Sequence, residues 1–332
     1  MKIQKLHIKN FKSLVDLEIV EPNPFTVFVG ANASGKSNIF EALEFNAFLP
    51  ISYKAEPFEQ FYRIFGSKED LLSRGYSHAE IEITLTLDPV GSFIASYNFE
   101  NKLTVGARLG KDHDLHNVAH SNINNFWIKN FSRIFIGNKK ELKLHYKDDI
   151  GLSLDGSNLE KVLKRLLQDE TKREEIVEYL RLLIPEFEHI EIHSDNIGGT
   201  DTLLLYEKGS NKPFSRNLIS DGTYNILCLL TVVLQSDEPQ FLCIEEPENG
   251  LTPYVIETFV ELFRAKCEEQ GHYIWLNTHS QTLVRQLKEE ELILVSKQNG
   301  ATQIKQLRKG DFYGLRADEA WLTNALGAGL PW

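Results

Sequence analysis

Long apolar runs, paired cysteines and a cationic excess are all missing from this 332-residue sequence. Its longest apolar run, Ile226 to Leu234, has nine residues and contains Thr231, whereas a membrane-spanning helix needs about 20. The lysines near the start lead into no uninterrupted apolar segment, because His7, Lys9, Asn10 and Lys12 break it. No signal-peptide core is therefore predicted, and the expectation is neither secretion nor a membrane span. The three cysteines (Cys228, Cys243, Cys267) show no CxxC spacing, and two sit in apolar runs. That pattern predicts reduced core thiols in a cytoplasmic protein. With 36 Lys+Arg against 47 Asp+Glu the formal net charge is −11, at first sight an argument against nucleic acid as a partner. Internal repeats, low-complexity segments and sustained heptads are absent too, so no long coiled-coil arm is expected. What remains is an ordinary globular composition on a chain long enough for a sizeable core.

Apolar residues alternate over Ile3, Leu6 and Ile8 and over Val15, Leu17 and Ile19, which predicts opening strands. Phe25 to Val29 follows as a largely apolar strand, and a helical pattern (Ile39, Leu43, Phe45, Phe48) stops by Pro50. Residues 79–107 predict a β hairpin or meander, and residues 110–125, rich in Asp, Asn and His, a loop. Helical spacing over 158–183, broken at Asp169–Lys172 and ended by Pro185, predicts two short helices. The remainder alternates strand and helix. Strands are expected at Leu203–Tyr206, Phe241–Ile244, Tyr273–Leu276 and Leu292–Val295, with a helix over Thr223–Leu234. A second helix opens at Thr252-Pro253, suited to an N-cap and a first turn, and closes at Gly271.

Four short segments carry chemistry. Gly30 to Ser37 matches G-x-x-x-x-G-K-[S/T], with an apolar strand running in and a helix running out. Glycines let the backbone wrap phosphates, and N–H groups at the helix start face the negative charge. Lys36 is then expected to reach the β- and γ-phosphates and Ser37 to ligate Mg²⁺. Phe241 to Ile244 runs into Glu245, Glu246, Pro247 and Glu248, a buried strand delivering carboxylates to its C-terminal end. There the first acid would hold Mg²⁺ through water and the second would polarise an attacking water; taken alone, a solvated acidic turn reads the same way. His279, just past the strand Tyr273–Leu276, could contact a γ-phosphate from a neighbouring strand end. Ser220, Asp221 and Gly222 open the helix Thr223–Leu234, either as an anion-binding end or as a plain N-cap.

Together these segments resemble the ABC-type P-loop ATPases of the RecF/SMC branch. Within it they are similar to the ATPase part of overcoming-lysogenisation-defect-like proteins and to stand-alone ATPases of phage-defence systems. Ile8 to Ser13 resembles the branch's opening strand, Gly30 to Asn38 with Glu41-Ala42-Leu43 its phosphate loop and helix, and Ser220 to Thr223 its signature. Glu245 to Leu251, Thr278-His279-Ser280 and the closing Gly327 to Trp332 complete the likeness. The resemblance implies an α/β fold of the ABC type, with a mixed-sheet core, an N-terminal antiparallel β part and a small helical insertion. It implies a single two-lobed domain over 1–332: a phosphate-loop lobe (1–107), an insertion (108–200) and a lobe bearing signature, Glu-Glu strand and histidine (201–332).

The implied cofactors are ATP and Mg²⁺, in a homodimer around two ATP. Nucleotide contacts would come from Gly30, Asn32, Ser34, Gly35, Lys36, Ser37 and Asn38, and from Lys12 and Ser13 on the opening strand. Ser220 and Gly222 would touch the γ-phosphate bound to the opposite chain. Mg²⁺ would fall to Ser37 and Glu245, and catalysis to Glu246, His279 and Lys36. Asn249, Gly250 and Leu251 would lie where the subunits communicate. Three features depart from the family's pattern: Glu245 stands where Asp is commoner, Thr252 where His is frequent, and no clear glutamine loop exists beyond the candidate Gln60. Relatives drive DNA repair or anti-phage defence, some through a fused nuclease; with 53 residues after His279, a separate nuclease or effector chain is expected. The alternatives are a non-catalytic ATP-dependent switch that holds a toxin or nuclease, and a transporter energy-coupling subunit.

The charge is unevenly spread. Residues 237–291 hold twelve acids against four cations, whereas residues 128–147 hold six cations against one acid, interleaved with Phe131, Phe135 and Tyr146. The basic stretch reads either as a strand pair with a solvated basic face or as a contact to DNA or RNA. The helical pair 158–183 reads as packing or as a partner site. Arg63 and Arg74 stand between the phosphate loop and the meander; either reads as a charge-stabilising arginine or as half of a surface salt bridge.

Overall fold

A computed structural model describes residues 2–52, 65–75, 80–88, 91–98, 102–109, 129–136, 150–194, 200–323 and 326. The loop expected over 110–125, Gln60, Arg63, Lys139, Lys140, Lys143, Lys147 and the closing residues 327–332 lie outside the described residues.

The chain opens with strands β1 (Lys2–Phe11), β2 (Leu14–Val20) and β3 (Phe25–Val29), then helix α1 (Lys36–Ser52) and the single turn α2 (Lys68–Leu71). The meander follows as β4 (Glu80–Asp88), β5 (Gly91–Asn98) and β6 (Lys102–Leu109), and then comes β7 (Phe131–Ile134). Helices α3 (Leu159–Gln168) and α4 (Glu170–Leu183) lead to β8 (Phe187–Ser194), β9 (Asp201–Glu207) and β10 (Phe214–Ser215). The last part runs α5 (Asp221–Leu234), β11 (Phe241–Glu245), α6 (Pro253–Gln270), β12 (Tyr273–Thr278) and α7 (Gln281–Arg285). It ends with β13 (Leu292–Gln298), β14 (Ala301–Gln306) and α8 (Ala317–Leu322).

A six-stranded sheet in the order β14-β13-β3-β12-β11-β7 forms the centre. β13, β3, β12, β11 and β7 run parallel, and β14 returns antiparallel beside β13. Every residue of β3, β11 and β12 is buried, as continuous apolar runs in parallel sheets require. Alternate side chains of these strands enter opposite cores. Phe25, Val27, Val29, Leu242, Ile244, Ile274 and Leu276 pack with the helices α3 to α6. Phe28, Phe241, Cys243, Tyr273 and Trp275 pack with α1 and the second sheet, β2-β1-β4-β5-β6, which is antiparallel. The third sheet, β10-β9-β8, is a small antiparallel one.

The helical pair divides where the sequence indicates. Asp169 adopts extended backbone and its carboxylate accepts from the Lys172 N–H at 3.0 Å, ending α3 and capping α4. Thr252 holds the N-cap position of α6 with Pro253 next, although its hydroxyl makes no capping bond. All three cysteines are buried and free. Among the described residues no helix is long and apolar enough to cross a membrane.

Phe131 to Ile134 does not present a solvated basic face: it is a strand parallel to β11, outermost in its sheet among the described residues, and all four of its residues are buried, with Arg133 only 8% exposed. Arg133 therefore leaves the basic surface expected over 128–147.

Candidate functional site

The parallel register brings the motifs to one edge. Thr278 pairs with Val29 and Glu245 with Asn277, so β3, β12 and β11 end side by side. The phosphate loop leaves β3, His279 follows β12, and Glu245 and Glu246 stand at the end of β11. Ligands bind at this edge in open parallel sheets.

The phosphate loop is tightly packed from below. A Cβ on Gly30 would overlap the carbonyl oxygen of Val295 in β13, so only glycine fits. Ala33 and Gly35 take positive φ values of 59° and 107°, which curls the loop ahead of α1. Lys36 is 6% exposed, and its ammonium donates to the carbonyls of Gly30 (2.9 Å) and Ala31 (3.0 Å). Burial pushes its pKa down to about 8, and the charges of Glu246, Glu245 and Glu248 limit the fall.

Ser37 donates from Oγ to Oε2 of Glu245 at 2.6 Å, and Asn277 Nδ2 donates to the same oxygen at 3.1 Å. The other oxygen, Oε1, accepts from Arg133 Nε at 2.6 Å. Glu246 sits at φ 47°, a left-handed conformation that costs free energy in a residue other than glycine. Its N–H donates to the Asn277 carbonyl at 2.9 Å, and its Oε2 accepts from Asn249 Nδ2 at 3.1 Å. Burial lowers the pKa of His279, and the Lys36 charge adds to that against the pull of Glu246. Glu248 accepts at Oε1 from Thr278 Oγ1 (2.5 Å) and the His279 N–H (3.2 Å), while its buried Oε2 has no partner. Burial raises its pKa against those hydrogen bonds. Lys36, Ser37, Glu245, Glu246 and His279 thus form one cluster.

Other expected residues are placed differently. Lys12 pairs with Glu41 of α1 at 2.7 Å. Ser13 Oγ accepts from Asn38 Nδ2 at 2.8 Å and bonds Thr302 Oγ1 at 2.7 Å, and Thr302 Oγ1 donates to the Ser34 carbonyl at 2.8 Å. Ser13 and Asn38 therefore brace the phosphate loop from behind, through a threonine of the β13–β14 hairpin. Asn32 is exposed at the loop tip, and Ser34 Oγ is buried with no partner. Ser220 and Gly222 belong to a separate helix start. There Ser220 Oγ accepts from the Thr223 N–H at 3.1 Å, and Gly222 packs on Gly250.

Arg133, Glu44, Asn277 and Thr302 escaped the reading of the sequence. The available signal was a charged or amide side chain inside a largely apolar strand: Arg133 between Ser132 and Ile134, and Asn277 between Leu276 and Thr278.

Strand order, phosphate loop and paired acids define a P-loop ATPase of the ABC type, in the RecF/SMC branch. More narrowly, the chain belongs to the family described as "AAA domain, putative AbiEii toxin, Type IV TA system", which matches residues 25–285. It is 34% identical over 85 residues to the DNA replication and repair protein RecF of Thermosynechococcus vestitus, a stretch that is 26% of this chain and 20% of that protein. It is 49% identical over 43 residues to the chromosome partition protein Smc of Methanocaldococcus jannaschii, 13% of this chain and 4% of that one. The chain thus matches only a small part of the length of these relatives. Its fold follows that of an Smc head solved with the C-winged helix domain of ScpA, with TM-score 0.63, 17% identity, and 93% of this chain and 98% of that one covered.

Proposed function

We propose that this chain binds ATP with Mg²⁺ at the phosphate loop, hydrolyses it as a homodimer around two ATP, and drives a separate effector in DNA repair or anti-phage defence. The observation that carries the reading is the convergence of Lys36, Ser37, Glu245, Glu246 and His279 at the ends of three adjacent parallel strands.

The residues suit both groups. Ser34 Oγ is a buried polar atom without a partner inside the loop. Ser37 and Glu245 offer only oxygen donors, the kind Mg²⁺ takes alongside phosphate oxygens. Bound there, Mg²⁺ neutralises charge on the phosphates. Lys36 would exchange its loop carbonyls for phosphate oxygens, and loop N–H groups would hold the chain of phosphates. Glu246, fixed in its strained conformation, would orient the attacking water and accept its proton. His279, neutral by the direction of its shift, would donate to the γ-phosphate.

Ser220 and Gly222 would meet the nucleotide on the partner's phosphate loop. Leu218 (68% exposed), two residues before Ser220, and Tyr254 (55% exposed), in the first turn of α6, are apolar groups that a second copy would cover. RecF and Smc relatives support work on DNA, and the Smc head solved with ScpA supports a protein partner.

Replacing Glu246 by Gln is expected to give a dimer that retains ATP and turns over little of it, measured by light scattering and phosphate release. A monomer at saturating ATP and Mg²⁺, or undiminished turnover, would overturn the reading. Cleavage of DNA or RNA by the purified chain alone would remove the separate effector. A second reading, a non-catalytic ATP-dependent switch that holds a toxin or nuclease, is supported by the toxin–antitoxin context that the family's description names. Multiple-turnover assays with and without DNA separate the two, because the switch needs binding but no sustained turnover.

A further inference from the structure

The two oxygens of Glu245 face different partners. Oε2 takes Ser37 and Asn277, while Oε1 takes Nε and Nη2 of Arg133, at 2.6 and 2.5 Å. Arg133 extends Nη1 the other way, to Oε2 of Glu44 on α1, at 2.8 Å. The side chains of Arg133, Glu44 and Glu245 are 7%, 6% and 2% exposed. Two carboxylates and one guanidinium thus share a buried space with one net negative charge. Glutamate has one more rotatable bond than aspartate, so its carboxylate needs more restraint to present one oxygen in one place. A planar guanidinium, itself held by a second acid, supplies that restraint.

We propose that Arg133, anchored by Glu44, is a positioning residue for the Mg²⁺ side of the ATP site. It holds Oε1 of Glu245, so that Oε2 alone faces Ser37. This rests on the Mg²⁺·ATP reading above. Arg133 acts through Glu245 and touches no substrate. Its strand β7 lies at the sheet edge, so the same residue ties that edge to the phosphate-loop helix.

The test compares the parent chain with the double variant Arg133→Met/Glu44→Gln. Removing one cation and one anion together keeps the net charge of the set, and because the cation removed touches Glu245 while the anion lies beyond it, any electrostatic change favours Mg²⁺, so a weaker Mg²⁺ effect reports the lost restraint. Affinity for a fluorescent ATP analogue is measured with Mg²⁺ and with a chelator in its place. Metal-free binding is expected to stay within about twofold, while the gain that Mg²⁺ adds falls by about tenfold or more, the usual effect of losing a partner of a metal ligand. The Mg²⁺ concentration for half-maximal turnover should rise in parallel. Arg133→Lys, which keeps the charge but not the fork, should lose about threefold or more. If the double variant shows no thermal transition, that single variant decides the matter by the same ratio. An Mg²⁺ gain within twofold of the parent overturns the role of Arg133 alone. A parent that binds no ATP overturns the proposed function, and this role with it.

Discussion

Lys36 carries its charge where burial resists it, and the consequences are measurable in two directions. Its pKa in the folded chain is about 8 against an ordinary 10.5, so above pH 8 the free chain loses the ammonium that phosphates need. ATP affinity is expected to fall between pH 7 and pH 9. Binding should also take up protons near pH 8, because phosphates favour the charged form; calorimetry in buffers of different ionisation heat reads this. Affinity that stays level across that range would count against Lys36 as the phosphate ligand. For stability the sign is opposite. Between pH 8 and 10.5 the unfolded chain binds more protons than the folded one, so the parent should gain stability relative to Lys36→Met as pH rises. Arg133 gives a second residue-scale expectation. Arg133→Met alone strands Glu44 and Glu245 as two buried carboxylates without a cation. A loss of about 3–5 kcal/mol is expected in urea at neutral pH.

Elements couple these residues, and one contact ties α5 to the loop that carries Glu246. The start of α5 rests on the turn after β11: a Cβ on Gly222 would overlap the Gly250 carbonyl oxygen, and Asn225 Nδ2 donates to the carbonyls of Pro247 (2.9 Å) and Asn249 (2.8 Å). Gly222→Ala must push this loop away, at about 1–3 kcal/mol by analogy with overpacking. Nucleotide binding to the phosphate loop of a single chain, which that chain's own Gly222 does not touch, should survive, while turnover should drop at least tenfold, of the order expected when about 1.4 kcal/mol of transition-state stabilisation is lost. Equal losses of binding and turnover would deny that coupling. The strands β3, β11 and β12 were legible in the sequence because burial on both faces makes them continuously apolar, with their chemistry at the ends. A strand within 128–147 was legible too, but the burial of β7 was not, because its four residues include a cation. Its Arg133 meets acids 89 and 112 positions away in the chain, and no local pattern encodes such a pairing. Thr302 braces the phosphate loop from 268 positions beyond Ser34 for the same reason.

At the scale of the whole molecule, a net charge of −11 describes no single surface. Acids from the stretch 237–291 are partly spent internally: Glu245 on Arg133, Glu291 on Arg264 at 2.7 Å, while Lys266 of that stretch neutralises Glu175 at 2.7 Å. Glu246 and Glu248 gather instead at the edge where Lys36 stands. The segment proposed as the signature sits on a different helix start in the same chain, and in the proposed homodimer a head-to-tail pair would complete each site with the other chain's Ser220. That arrangement makes a mixing experiment decisive. Lys36→Ala should lose nucleotide, and Ser220→Arg should keep nucleotide but spoil the partner's site, so each variant alone should be nearly inactive. In a mixed dimer one site combines the intact phosphate loop of the Ser220 variant with the intact signature of the Lys36 variant. Random pairing makes half the dimers mixed, each with one of two sites whole, so equal mixing should restore up to about a quarter of parent turnover. No recovery, with mixed dimers verified by two different tags, would rule out sites shared between chains. Turnover by Ser220→Arg alone would show that the signature serves no site at all.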